Sequence, residues 1–289
     1  MDVMARIERS LQAALARTKS PGCPPKLAGA MHHAVFPRGA RIRPRLCLAV
    51  AMACGDDQPA ISDSAATAIE LLHCASLIHD DLPCFDDAAT RRGKPTVHMA
   101  FGEPLAVLAG DALIVLAFQI LGQAAAAAPL RLAPLLLTIG QSVGVPCGIV
   151  AGQAWECEDG VDLALYQREK TGALFAAATV AGAASAGVEA EAWRLLGNCL
   201  GEAFQVADDI LDATSTAEKI GKPVGQDVAH HRPNAVCQLG LGGAIDRLEA
   251  LSEAAVAAVP PCPGQSALQS HIRTETMRLL PQELARHAA

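Results

Sequence analysis

The chain has 289 residues, of which 51% are hydrophobic, 18% charged and 3% aromatic. This composition argues against disorder and implies a large core filled by Ala and Leu, both good helix formers. A formal net charge of -7 argues against nonspecific nucleic-acid binding, which needs a basic surface, but leaves room for a small phosphate-bearing substrate met by local cations.

Apolar residues recur with helical spacing along almost the whole chain, and strand alternation is nearly absent. Helices are predicted near 2–18, 25–35, 41–54, 62–82, 104–124, 131–142, 146–157, 162–185, 189–213, 235–258 and 265–287. Breaks fall at Pro21-Gly22, Gly55 to Asp57, Pro83, Gly93 to Pro95, Pro129, Gly160, Gly221 to Gly225 and Pro260-Pro261. Ser62 or Asp63 is a candidate cap for the fourth helix. No linker divides the chain, so residues 1–289 are expected to form one all-α domain, a helical bundle.

The N-terminus is charged and helical and has no signal-peptide pattern. Ten cysteines are scattered with no Cys-x-x-Cys pair, which predicts reduced thiols and a cytoplasmic location. Two uncharged stretches, Leu132 to Trp155 and Ala173 to Val188, read as helices buried in a bundle; no membrane span is expected.

Two acidic clusters interrupt this apolar background: Asp80-Asp81-Leu82-Pro83-Cys84-Phe85-Asp86-Asp87 and Asp208-Asp209-Ile210-Leu211-Asp212. Each follows an apolar helical run, so a solvated helix end explains them poorly. Burying clustered carboxylates without a cation costs about several kcal/mol. All-oxygen donors suit Mg²⁺, which keeps waters and recruits phosphate oxygens. Asp208 and Asp212 are one helical turn apart, Gln205 shares their face, and Asp209 points about 100° away. Pro83 disturbs the first helix, so Asp86 must return toward Asp80 through an irregular turn. Facing each other across a cleft, the clusters would hold several divalent ions.

Basic residues identify the ligand. Arg91 and Arg92 follow the first cluster, Arg41 and Arg43 lie in an Arg-x-Arg-Pro segment, and Lys170, Lys222 and Arg232 follow later in the chain. Each alone reads as a surface charge. With two metal clusters they indicate a polyphosphate held by metal, guanidinium forks and ammonium groups. His73 lies about two helical turns before Asp80, on the same face.

HDDLPCFDD followed by RRGKPT resembles the first aspartate-rich motif of the trans-prenyl diphosphate synthases, or polyprenyl synthetases, and FQVADDILD resembles the second. RGARIRP, Lys170-Thr171-Gly172 and GKPVGQD fall in family order between about positions 38 and 232. The chain is similar to bacterial geranylgeranyl diphosphate synthases of carotenoid biosynthesis. The resemblance implies an isoprenoid synthase bundle around a large central cavity, usually a homodimer. The implied reaction is Mg²⁺-dependent condensation of isopentenyl diphosphate with an allylic diphosphate, here farnesyl diphosphate, to geranylgeranyl diphosphate.

By position, the resemblance implies that Asp80, Asp86 and Asp208 hold three Mg²⁺ ions, supported by Asp81 and Asp212. Arg91, Lys170 and Lys222 are implied to meet the allylic diphosphate. Arg43, His73 and Arg92 are implied to meet the isopentenyl diphosphate, and Thr171 and Gln205 to lie beside the reacting carbons. Arg232 stands where relatives carry a late lysine. Ala75 and Ser76 precede Asp80 where relatives set product length; a methyl at Ala75 in place of an aromatic floor favours the twenty-carbon product.

Three departures from the family pattern stand out. Ala40 replaces a family lysine and Arg38 the first glycine, with Arg38 or Arg41 as possible substitutes for the lost charge. Ala88 and Ala89 stand where relatives carry more Asp, and Arg232 replaces a lysine. These departures leave rival readings open: a farnesyl diphosphate synthase, a weakly active regulatory subunit of a heteromeric synthase, or a cyclase or head-to-head synthase of the same fold.

Overall fold

The computed structural model describes residues 2–36, 39–160, 163–214 and 234–279. They are overwhelmingly α-helical, as predicted, and divide into two compact units. One comprises Met1–Gly140 with Ala181–Glu189; the other comprises Gln141–Val180 with Ala190–Ala289.

In the first unit, α1 (Val3–Ala16) starts where the Asp2 carboxylate accepts the Met4 amide at 3.0 Å. Next come α2 (Pro25–Val35), α3 (Ile42–Ala53) and α4 (Pro59–Asp80). A short hairpin, β1 (Thr90–Arg91) and β2 (Lys94–Pro95), leads to α5 (Val97–Phe101) and α6 (Glu103–Ala124). The core is aliphatic: Leu11, Leu48, Ile69, Leu71 and Leu113 are fully buried. α4 packs along α6. Gly110 permits the close approach, because a Cβ there would stand 2.1 Å from His79 Nε2.

Pro59 occupies the first turn of α4, where its missing N–H costs nothing, so the helix begins before position 62. Ser62 and Asp63 therefore lie inside the helix instead of capping it. Both bind Arg6 of α1, and Arg6 Nη1 also reaches Asp56 at 2.7 Å. The hairpin leaves no periodic signal in the sequence, since two-residue strands are too short to show alternation. Its turn residues, Arg92 and Gly93, have φ of 53° and 74°, as expected for a tight two-residue hairpin loop.

α7 (Leu132–Val143) runs across the boundary between the units. In the second unit, α8 (Ile149–Ala154) and α9 (Leu163–Gln167) precede a π-helical turn at Arg168–Gly172. That turn interrupts the continuous helix expected over 162–185; α10 (Ala173–Ser185) follows it, with residues 173–180 assigned to the second unit and 181–185 to the first. α11 (Arg194–Thr214) packs on α12 (Ala235–Ala257), and α13 (Gln265–Met277) closes the described chain. Ala203, Val206, Ala207 and Ile210 meet Ala244, Leu248 and Leu251 in a local core. α11 lies close to the π-helical turn because a Cβ at Gly201 would come 2.9 Å from Gly172 Cα.

Among the described residues, one helical stretch, Glu103–Ala127, is long and apolar enough to cross a membrane, and 44% of its most apolar window is buried in the structure. The two stretches singled out in the sequence are shorter helices. All ten cysteines are free thiols.

Candidate active site

The first cluster begins where α4 ends. The Asp86 amide donates to the Asp80 carbonyl at 3.0 Å, and the Asp87 amide to the Leu82 carbonyl at 3.1 Å. This is the irregular return that Pro83 requires. Asp86 is exposed and Asp80 half-buried, whereas Asp81 is buried. The Arg91 Nε donates to both Asp81 oxygens, at 2.7 and 2.9 Å, and Arg91 Nη2 stands 3.8 Å from Asp80. Asp81 and its hydrogen bonds raise the Arg91 pKa above its ordinary value despite the opposing effect of burial. Arg91 therefore keeps its charge at the edge of the acidic turn.

Arg43, His73 and Arg92 come together in the same unit. Arg43 Nη1 is 3.5 Å from His73 Nε2. Burial lowers the Arg43 pKa to about 10; Glu70 opposes the shift and the charge of Arg92 adds to it. Burial holds His73 well below its usual value, with further lowering by Arg43, Arg92, Arg91 and Arg41. His73 is thus neutral beside a concentration of positive charge. Arg92 folds over the backbone at Gly39, where a Cβ would sit 2.6 Å from its Cζ. Such a cluster is costly unless an anion joins it.

Arg41 has a different fate from the one its motif suggested. It is buried with φ of 52°, and it binds Glu8 at 3.0 Å, Glu70 at 2.6 Å and the Val35 carbonyl at 2.8 Å. Its guanidinium ties α1 to α4 and cannot replace the lysine missing at Ala40. Ala75 is buried; Ser76, half-buried, donates its hydroxyl to the His73 carbonyl at 2.9 Å.

In the second unit, Asp208 and Asp212 are half-buried on α11, and Asp209 is buried. Asp209 accepts the Ala235 amide at 2.7 Å and the Gln205 amide at 3.1 Å, so it holds the start of α12. Gln205 bonds Asp209 rather than the Asp208 face on which helical spacing placed it. Lys170 and Thr171 lie in the π-helical turn, a feature frequent at functional sites, packed against α11. Lys170 Nζ donates to Glu156 Oε1 at 2.6 Å, a partner that no sequence signal suggested. Lys222 and Arg232, like Arg38, fall outside the described residues.

The donor set fits a hard cation: exposed and half-buried carboxylates, with no soft ligand among them. Among the described residues no three His, Cys, Asp or Glu side chains gather to hold a metal.

Comparison with known proteins places the chain in a family. Residues 24–254 match the Polyprenyl synthetase family. The chain is 55% identical to a geranylgeranyl diphosphate synthase of Cereibacter sphaeroides, over 97% of each chain. It is 51% identical to one of Rhodobacter capsulatus, again over 97% of each. A crystal structure of a geranyltransferase from Helicobacter pylori, complexed with magnesium and isoprenyl diphosphate, superposes with a TM-score of 0.78 at 28% identity. That match covers 96% of this chain and 98% of the other.

Proposed function

The chain belongs to the polyprenyl synthetase family and is a prenyltransferase, and from that premise we propose that it condenses isopentenyl diphosphate with an allylic diphosphate, farnesyl diphosphate, to give geranylgeranyl diphosphate. The observation that carries this reading is the juxtaposition, inside one unit, of the Asp80–Asp86 turn with Arg91 and the Arg43–His73–Arg92 cluster. Acid for a metal and base for a diphosphate stand side by side.

Asp80, Asp86, Asp208 and Asp212 are the residues that would hold three Mg²⁺ ions. When bound, these supply charge neutralisation for a departing diphosphate. Asp81 supports the site by fixing Arg91. Arg91, Lys170 and Lys222 bind the allylic diphosphate; Arg43, His73 and Arg92 bind the isopentenyl diphosphate, with Arg232 adding charge. Thr171 and Gln205 present dipoles to the positive charge that develops on the allylic carbons. The double bond of isopentenyl diphosphate attacks that carbon, and the proton then lost goes to the released diphosphate. An apolar lining around the cationic carbon would exclude water from it.

Ala75 and Ser76 set product length, and the small side chain at Ala75 supports a twenty-carbon product. We assign the whole chain to one catalytic domain that acts in the cytoplasm as a homodimer and feeds carotenoid synthesis. A dimer is supported by α6, which exposes Val107, Leu108 and Val115 along one face. The free cysteines support a reducing compartment.

The test is to incubate the purified chain with Mg²⁺, isopentenyl diphosphate and each allylic primer, and to read products by mass spectrometry. A linear C20 diphosphate supports the reading. Products that stop at C15, cyclic products, or no product without an added partner would overturn it.

A further inference from the structure

Three side chains converge on Glu156. Lys170 Nζ donates to Oε1 at 2.6 Å, the Tyr166 hydroxyl donates to the same oxygen, and Gln153 Nε2 donates to Oε2 at 2.8 Å. Lys170 also stands 5.6 Å from the centre of the Tyr166 ring. The four residues come from α8, the 3-10 turn after it (Trp155–Cys157), α9 and the π-helical turn, all within the second unit. Glu156 and Lys170 are each about four-fifths buried at the side chain. Tyr166 is the only tyrosine of the chain.

We propose that Glu156 is a positioning residue for the reaction: its carboxylate, steadied by Tyr166 and Gln153, fixes the direction in which the Lys170 ammonium presents its charge to the allylic diphosphate. A lysine stem has four rotatable carbons and three N–H donors, so an unanchored ammonium samples many directions. A charge-assisted bond to a carboxylate that is itself held by two other donors removes that freedom before substrate arrives. The tight seat of the π-helical turn acts in the same sense. A Cβ at Gly152 would stand 2.4 Å from the Lys170 amide nitrogen, so the backbone beneath the lysine cannot shift toward α8. A carboxylate that merely competed with substrate for Lys170 would not need two further donors to hold it in place.

This inference rests on the assignment of Lys170 to the allylic diphosphate, and the experiment separates the two. Steady-state kinetics are measured on the full chain with farnesyl diphosphate and isopentenyl diphosphate for Glu156→Gln, Lys170→Met and the double variant. Glu156→Gln, nearly isosteric, is expected to raise KM for farnesyl diphosphate about tenfold, the loss of one charge-assisted hydrogen bond, and to leave KM for isopentenyl diphosphate unchanged. In the Lys170→Met background the same change is expected to add nothing. An unchanged or lower KM for farnesyl diphosphate in Glu156→Gln overturns the inference, as does a full additive effect in the double variant. If Lys170→Met alone leaves that KM at the wild-type value, the assignment of Lys170 itself fails. Tyr166→Phe keeps the ring and removes one anchor of Glu156. A rise in the same KM with an unchanged melting temperature supports the inference should Glu156→Gln not fold, and no rise overturns it.

Discussion

Arg91 holds Asp81 through both carboxylate oxygens while standing 3.8 Å from Asp80. Asp81 is spent on the fold, whereas Asp80 is the neighbour we propose for the ligand. Asp81→Ala is expected to cost about 2 kcal/mol, because a partly buried guanidinium loses its bidentate partner. Asp80→Ala removes a like charge beside Asp81 at the cost of a longer contact with Arg91, so it should lower the melting temperature less than Asp81→Ala while abolishing turnover. Thermal denaturation beside a product assay checks both. Equal melting shifts for the two variants would contradict this division.

The second cluster makes a parallel prediction. Asp209→Ala deprives the Ala235 amide and Gln205 of their acceptor and should cost about 1–2 kcal/mol, the scale of a lost helix cap. Asp208→Ala should lose activity with a smaller shift in denaturation midpoint than Asp209→Ala. Urea unfolding of the two variants distinguishes these outcomes.

Ala75→Phe should shorten the product from twenty carbons to fifteen. Ala75 is only 1% exposed, so the larger ring should also destabilise by about 1–3 kcal/mol through overpacking. Mass spectrometry of products made below the variant's melting temperature is the check. Unchanged length in an active variant would remove Ala75 from the floor.

His73 is held well below the usual histidine value of 6.5 by burial and by Arg43 and Arg92. The unfolded chain therefore binds a proton at this position more readily than the folded one. This contribution to stability is full above pH 6.5 and falls as pH drops from there toward the depressed folded value. His73→Gln should show a shallower loss of stability between neutral pH and about pH 5 than the parent. Denaturant midpoints across that range measure the difference, and identical slopes would rule out the titration.

Arg41→Ala should destabilise by about 3 kcal/mol or more, since it leaves Glu70 buried without its guanidinium. The folded fraction should keep the parent KM for isopentenyl diphosphate. Ala40→Lys, at an exposed position, should lower that KM. A raised KM in folded Arg41→Ala would return Arg41 to the substrate site.

Much of this was legible in the sequence because helical period and proline placement act locally. Several helix ends, such as those of α2 and α6, the return of Asp86 past Pro83, and the spacing of His73 and Asp80 follow from backbone rules. The rest depends on neighbours brought from afar. Nothing in the run Arg41-Ile42-Arg43 says that the first arginine turns inward to Glu8 and Glu70 while the second meets His73. Helical spacing sets Asp209 apart from Asp208, but nothing in the first Asp-Asp pair says which carboxylate Arg91 will take. The π-helical turn has no sequence signature, and Glu156 carries none for Lys170.

The loop between Asp80 and Asp86 is closed by main-chain atoms, amide to carbonyl. The distance between those two positions is consequently insensitive to the identities of Cys84 and Phe85, whose side chains face solvent at the tip. A designer could rewrite that tip, adding a fluorophore or a chelating group, without retuning the spacing on which the carboxylates depend.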